Sequence, residues 1–584
     1  MPKPMLIQRR ASNSDFSFAD SVHPLLQQVY RKRSIQSSDE LELGLSNLLP
    51  PDGFKDMNKA VSLLLDCLKN KKRIVIVSDF DADGATSCVL AMNALRQMGA
   101  KYVDYIVPNR FQFGYGLTPE IVELAKHKKP DLVITVDNGI SSIEGVRAAN
   151  GSGIEVIITD HHIAPDQLPE AQAIVNPNQA DCAFASKCIA GVGVIFYVML
   201  ALRSQLREIN WFEENNIEEP NLALQLDLVA LGTVADVVAL DRNNRILIDE
   251  GLKRIRIGVA RPGIFALLQV ANRQPNRLTA SDLGFSLGPR LNAAGRLEDM
   301  STGIECLLAE SASRAHPLAL KLDGMNQDRK QIEAEMRDQA FAVLNELSLE
   351  EASLPAAICL YDERWHQGVV GIVASRIKDK YYRPVIAFAR LDENLGESIE
   401  LKGSARSVQG FHIRDALDAV ATKNPGLITK FGGHSMAAGL SLDLNNFEEF
   451  QKAFAAEAAA LLSDDQLQAK ILSDGMVKSE WFTLETATAI DEAGPWGQKF
   501  PEPLFDGRFN LVQQRRVGER HLKMVLSPMQ DSQRSIDAIA FNVSKEDWPA
   551  ESVSEIEIAY RLSVNEFRGV VNLQLMVEQI LAST

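Results

Sequence analysis

Val75-Ile76-Val77-Ser78-Asp79-Phe80-Asp81-Ala82-Asp83-Gly84-Ala85-Thr86-Ser87 is the stretch that decides the fold of this chain. The apolar run from Ile74 to Val77 does not alternate and ends abruptly in polar residues, as a strand buried on both faces does. Three carboxylates follow on alternate residues. Gly84 allows a tight turn, and Val89, Leu90 and Met92 to Leu95 suit a helix packed on the strand. Strand, acidic turn and helix in that order open an α/β sheet, whose ligands bind beyond the carboxyl ends of its strands. Asp79, Asp81 and Asp83 fall in that place. A solvated acidic turn is the plain alternative, but carboxylates so close repel one another unless a cation lies between them.

The arrangement recurs. Leu132 to Val136 ends in Asp137-Asn138-Gly139, Val156 to Thr159 ends in Asp160-His161-His162, and the apolar Leu228 to Ala235 leads to Asp236. If these segments end comparably, their acids and imidazoles converge on one sheet edge. Carboxylates with one or two imidazoles and no nearby thiolate suit Mn²⁺ or Mg²⁺ before Zn²⁺. A pair of such ions can activate a water and stabilise the leaving oxygen of a phosphoryl transfer.

The bulk properties limit the alternatives. A chain of 584 residues holds about three or four domains. A hydrophobic content of 46% and a charged content of 24% are those of an ordinary globular protein. The net charge of −16 excludes a generally basic, long-footprint duplex binder and is compatible with a local basic groove. Six cysteines at irregular spacing form no disulfide framework, and Cys182 and Cys188 lack a second pair to complete a zinc site. Met1 to Arg10 has no signal-peptide pattern and no 18-residue apolar run is present, so a cytoplasmic location is expected.

Taken in order, residues 1–49 read as a polar N-terminal extension ending at Leu49-Pro50-Pro51, with Arg31, Lys32 and Arg33 on a solvated face or, as the alternative, against a partner. Residues 50–310 alternate apolar strands with amphipathic segments and carry the acidic motifs. Within them, Arg110 beside Phe111, Phe113 and Tyr115 suits a phosphate clamp with a stacking surface for unpaired bases, or a loop pinned by buried aromatics. Gly288 to Arg296 reads as a loop that can bring amides and guanidinium groups to a phosphate, or as an arginine-held interface. Residues 311–349 read as a connector in which Pro317 to about Leu349 is one long helix, on the order of 45 Å, with apolar residues from Leu318 to Leu347 near helical spacing. Such a helix fits two lobes facing across a groove; a helix packed along one domain is the plain alternative. Residues 350–464 are a second α/β unit, with a helix from about Val369 to Ile377 and a Gly403-Ser404-Ala405-Arg406-Ser407 segment suited to anions. Residues 465–584 hold five short β segments of the kind that close an OB-type barrel, a fold that often grips single strands, with Arg515, Arg516, Arg520 and Lys523 making one side basic.

The Asp81-Ala82-Asp83-Gly84, Asp137-Asn138-Gly139, Asp160-His161-His162 and Asp236 sites resemble the motifs of the DHH phosphoesterase superfamily. Gly288-Pro289-Arg290-Leu291-Asn292-Ala293-Ala294-Gly295-Arg296, His366-Gln367-Gly368, Gly403 to Ser407 and Gly432-Gly433-His434 follow in the order of its bacterial single-strand-specific DNA exonucleases, which also carry a DHHA1 domain. The resemblance implies a multi-domain α/β protein: a mainly parallel-sheet DHH domain, a long helix, an α/β DHHA1 domain and a C-terminal OB-like β-barrel. It also implies a 5′→3′ exonuclease that releases nucleoside 5′-monophosphates with two Mn²⁺ or Mg²⁺ ions. Asp81, Asp83, Asp137, His161 and Asp236 would hold metal, with Asp79 as a further ligand or an orienter. His162 and Asn292 would contact the scissile phosphate, and His434 would face the scissile region from the opposite lobe. Arg110, Ser404 and Arg406 would hold the 5′ phosphate, and Arg290, Arg296, Phe111 and Tyr115 would line the strand. A monomer acting in repair, recombination and mismatch repair with single-strand-binding protein and a RecQ-type helicase comes with the resemblance. The rival expectations are a superfamily phosphodiesterase for RNA or short oligonucleotides, and a non-catalytic single-strand-binding scaffold with decayed metal motifs. The intact motifs argue against decay.

Overall fold

In a computed structural model of the chain, the described residues are all but 1–4, 13, 110–112, 114, 347–354, 392–398, 464–465, 519–520, 544–547, 549–552, 568 and 584. They form two compact units, one of Ser12–Asn326 with Glu485–Pro503, the other of Met1–Ala11, Gln327–Leu484 and Leu504–Thr584.

The first unit is built on a five-stranded, all-parallel sheet in the order Tyr102–Ile106, Arg73–Ser78, Leu132–Val136, Glu155–Thr159, Ala173–Val175. The Leu132–Val136 strand is buried at every residue, as its unbroken apolar run requires. Arg73–Ser78 is the first strand of this sheet in sequence, and the chain leaves it in opposite directions on its two sides. That makes the crevice between it and Leu132–Val136 the switch point where ligands bind in such sheets. The acidic turn expected after Val77 is there, and it starts the Ala82–Gln97 helix. Asp81 caps that helix by accepting from the amides of Asp83 and Gly84 at 2.9 and 3.0 Å. Gly84 lies inside the helix and serves close packing rather than a turn: a Cβ there would lie 2.6 Å from the Asp79 carbonyl oxygen.

The apolar segment before Asp236, not assigned to strand or helix from sequence, is the buried helix Leu226–Ala235, with Asp236 at its C-terminal end. A continuous apolar run has no period by which to tell the two apart. Gly288–Leu297 is a helix rather than a loop, entered through a π-helical turn at Leu283–Leu287. Pro289 follows directly on that π-helical turn, an irregularity of the helix at which a residue without an N–H is accommodated. After Val175 the described part of this unit has no further strand.

The N-terminal extension also divides. Leu6–Arg9 pairs in parallel with Lys470–Ser473, and Arg9 reaches the buried Asp506 at 2.6 Å, all within the second unit. Pro24–Arg31 is a helix of the first unit. Arg31 and Arg33 are not a solvated face: Arg31 donates to the Phe16 carbonyl at 3.0 Å and Arg33 to that of Pro501 at 2.6 Å. Glu485–Pro503, within the expected barrel region, packs instead with the first unit, where Leu240 donates its amide to the Gln498 carbonyl at 2.8 Å and the Arg245 guanidinium lies 4.3 Å over the Phe500 ring.

The helix Ala312–Glu346 carries the chain from the first unit into the second. There a mixed sheet runs Lys430–Gly433, Ala437–Asp443, Glu400–Arg406, Val385–Arg390, Ile358–Tyr361, with the helices Val370–Tyr381, Ile413–Lys423 and Phe447–Leu461. Five further strands, Phe505–Val517, His521–Pro528, Ile536–Phe541, Glu555–Phe567 and Val570–Ser583, close into a barrel. Among the described residues no helix is long and apolar enough to cross a membrane.

Candidate metal centre

The carboxyl ends of the parallel strands deliver the acids. Asp79, Asp81 and Asp137 place ligand atoms within 4.8 Å of one another, as do Asp83, His161 and Asp236, and Asp137, His161 and His162. The structure thus brings together Asp79, Asp81, Asp83, Asp137, His161, His162 and Asp236, across 157 positions of sequence between Asp79 and Asp236.

Asp83 is fully buried, and its two carboxylate oxygens accept from the amides of Gly191 and Val192 at 2.7 and 2.9 Å, at the N-terminus of the Gly191–Glu208 helix. Burial, then the charge of Asp81, push the Asp83 carboxyl up to about 7 despite those amides. Burial and the charges of Asp83 and Asp81 raise Asp137 and Asp236 well above the ordinary carboxylate range. Asp137 takes a left-handed backbone, φ 62°, at the strand end, and Gly191 must lack a side chain because a Cβ would lie 2.7 Å from Asp137 Oδ1.

The two adjacent histidines are held in opposite states. His161 Nε2 lies 3.1 Å from Asp137 Oδ1 and 3.4 Å from Asp236 Oδ2. Burial, then the neighbouring His162, lower its pKa to about 4, so the ring is a neutral donor of a lone pair. For His162 burial also disfavours the charge. The hydrogen bond and charge of Asp160, 2.7 Å from Nδ1, outweigh it and lift the pKa to about 9.

Buried Asp137 Oδ1 and His161 Nε2 face each other without a hydrogen bond. Buried polar atoms are normally paired. A divalent cation between such oxygens and a neutral imidazole would satisfy both and relieve the repulsion that raises the carboxyls, so this donor set fits Mn²⁺ or Mg²⁺.

Several supporting residues were not assigned a role from sequence. Asp160 accepts from the amides of Ile140, His161 and His162 at 2.9, 2.7 and 3.1 Å, besides the His162 ring. Asn138 ties the strands Arg73–Ser78 and Leu132–Val136 together through the carbonyls of Val77 and Val136, at 3.1 and 2.9 Å. Asn176 and Asn178 hold the carbonyls of His162 and His161 at 2.9 and 2.6 Å. Asp160 and Asn138 fall inside the acidic motifs. Nothing in sequence marked Asn176 or Asn178.

Other expected site residues are placed differently. The Asn292 carboxamide oxygen accepts the Ala82 amide at 2.8 Å, so it braces the acidic turn. Tyr115, half-exposed, donates its hydroxyl to the Asp137 carbonyl at 3.1 Å, with the His162 ring nitrogens 3.3 and 3.4 Å away. It belongs to the centre rather than to a separate stacking surface. Arg290 bonds Asp323 at 2.8 Å and the Ser286 carbonyl at 2.6 Å, and its side chain is 13% exposed, a brace within this unit rather than an open strand contact. Arg296 is half-buried in the last turn of the same helix. Arg110 and Phe111 lie outside the described residues.

In the second unit, Ser404 and Arg406 stand on one face of the Glu400–Arg406 strand, with Arg406 Nη1 3.3 Å from Ser404 Oγ. A Cβ on Gly371, in the first turn of the Val370–Tyr381 helix, would lie 2.8 Å from both Ser404 Oγ and Arg406 Nη2. A hydroxyl, a guanidinium and the first turn of a helix lie side by side, a set of groups suited to an anion. His434 is exposed in the hairpin between Lys430–Gly433 and Ala437–Asp443.

A parallel sheet whose strand ends carry this acid and histidine set defines a DHH-type phosphoesterase. The DHH family N-terminal domain model matches residues 73–233, the DHHA1 domain 354–460 and the RecJ OB domain 473–579. The chain is 53% identical over 572 residues to the single-stranded-DNA-specific exonuclease RecJ of Dickeya dadantii, covering 98% of each chain. Crystal structures of RecJ from Thermus thermophilus in complex with Mn²⁺ and with Mg²⁺ match with TM-scores of 0.77 and 0.72, at 29% and 27% identity. Each match covers 96% of this chain, and 76% and 75% of those chains respectively. The chain belongs to the RecJ family.

Proposed function

We propose that this protein is a single-strand-specific 5′→3′ exodeoxyribonuclease releasing nucleoside 5′-monophosphates. The observation that carries the reading is the convergence of five carboxylates and two histidines at one sheet edge, with Asp137 Oδ1 and His161 Nε2 buried and unsatisfied. Asp81, Asp83, Asp137, His161 and Asp236, with Asp79, would hold two Mn²⁺ or Mg²⁺ ions. When bound, these supply an activated water and charge neutralisation for in-line displacement at phosphorus.

The chain's own groups do the rest. His162, kept cationic by Asp160, is poised to donate to a non-bridging phosphate oxygen, and the Tyr115 hydroxyl fixes that ring and the Asp137 backbone. Asn292 acts by holding the Ala82 amide, and His434 is assigned to the scissile region. Ser404 and Arg406, with Arg110, would take the 5′ phosphate and so set polarity. The barrel would guide the strand. Action as a cytoplasmic monomer in repair, recombination and mismatch repair, with single-strand-binding protein and a RecQ-type helicase, belongs to the same proposal, and its support is family membership.

Digestion of single-stranded and duplex DNA labelled separately at each end, with Mn²⁺, Mg²⁺ or chelator, tests the reading. Metal-dependent mononucleotide release from 5′ ends of single strands is expected. Release from 3′ ends, or hydrolysis of very short fragments alone, would move the protein to another branch of the superfamily.

A further inference from the structure

Phe285 is the most exposed large apolar side chain among the described residues, with 84% of its surface open to solvent. A scattered surface leucine needs no explanation, whereas a bare phenyl ring on a rigid element next to a catalytic centre does. It sits in the π-helical turn Leu283–Leu287, a helix irregularity of the kind that recurs at functional sites. The turn is held on both sides. A Thr279–Asp282 capping box precedes it, and Arg273 donates to Ser286 Oγ at 3.1 Å.

The same turn abuts the metal-bearing elements. Cβ atoms added at Gly284 and Gly288 would lie 3.1 Å from the side chains of Val234 and Ala235, the last residues of the helix that delivers Asp236. Asn292, which braces Ala82, is seven residues beyond Phe285, about 10 Å along the helix. Val237, directly after Asp236, is itself 64% exposed and adopts φ 61°, a left-handed backbone that a β-branched residue takes only when its surroundings force it.

We propose that Phe285, with Val237 at the rim of the metal centre, forms a stacking ledge for a nucleobase of the single strand a few nucleotides from the scissile phosphate, an assignment that rests on the nuclease reading. Every base offers an apolar face, so the ledge holds the strand without regard to sequence, and it favours unpaired bases over a duplex whose faces are already stacked.

The test is a cycle of Phe285→Ala against abasic units placed one at a time along a 5′-phosphorylated oligonucleotide, with KM and kcat measured in Mn²⁺. In the wild-type protein one abasic position is expected to raise KM roughly ten-fold or more. Phe285→Ala should raise KM on the intact strand by a similar factor and show no further penalty at that position, with kcat and Mn²⁺ affinity unchanged and with recovery in Phe285→Trp. An abasic profile identical in wild type and variant, or a loss of kcat or Mn²⁺ affinity without a KM effect, would overturn the ledge while leaving the nuclease reading intact. Wild-type protein with no metal-dependent hydrolysis of any single strand would overturn both.

Discussion

The parallel sheet between Arg73 and Val175 and the barrel from Phe505 to Ser583 each have five strands, and they dispose of strand ends differently. Parallel pairing sends every carboxyl end to one edge, so Asp79, Asp137 and Asp160 must meet there. The barrel is antiparallel at every described pairing but Ile536–Phe541 with Val570–Ser583, and its strand ends alternate. Its charges pair across strands, as in Lys523–Asp537 at 3.1 Å and Arg508–Glu557 at 3.2 Å, whereas the acids of the sheet edge raise one another's pKa. One region accumulates electrostatic conflict that a cation can relieve. In the other, the described pairs Lys523–Asp537 and Arg508–Glu557 neutralise charge between the strands themselves.

The largest effect expected is that of Asp83→Ala, a fall in hydrolysis on the order of 10³-fold or more while much of the strand binding and the barrel's hydrogen-exchange protection persist. Near-normal turnover in this variant would break the comparison at its metal end. At the other end, Leu526→Ala opens a cavity in the barrel, where Leu526 is fully buried. A local destabilisation of about 2–5 kcal/mol is expected, read by hydrogen exchange or limited proteolysis, with Mn²⁺ affinity unchanged. Lost metal binding there would show that the two regions are not independent.

A smaller effect is expected from Asp160→Ala, which removes the partner that holds His162 and three backbone amides. Loss of such a supporting group typically lowers activity about 10–100-fold, and kcat should fall more than KM rises. The smallest effect is on stability against pH. Because Asp83 has a folded-state pKa raised to about 7, its favourable contribution in metal-free protein is present below the usual carboxylate pKa near 4 and is lost as pH rises through about 7. Added Mn²⁺ should therefore raise the melting temperature more at pH 8 than at pH 5, where protons already relieve the repulsion and compete with metal. An equal rise at both, measured by scanning calorimetry, would mean that the buried carboxyls are not the groups relieved.

The parts legible in the sequence were those governed by local pattern. Unbroken apolar runs marked the buried strands Arg73–Ser78, Leu132–Val136 and Glu155–Thr159, and short β segments with turns between them marked the barrel. Acids at the run ends marked the metal ligands, because a strand end and its carboxylate are neighbours in the chain. The element that carries Asp236 was not legible, because apolarity without a period is shared by a buried helix and a buried strand.

What the sequence by itself determined, then, was the sheet, the barrel and the residue types of the centre, through interactions between residues a few positions apart. Only the tertiary structure decided that Leu6–Arg9 pairs with Lys470–Ser473, that Glu485–Pro503 packs with the first unit, and that Arg290 and Arg33 are committed to internal bonds. It also decided that Asn292 braces Ala82 and that adjacent His161 and His162 hold pKa values of about 4 and about 9. The physical reason is common to all of these. A hydrogen bond, a salt bridge or a desolvation cost depends on distance and burial, and those are set by which distant segments the folded chain brings together.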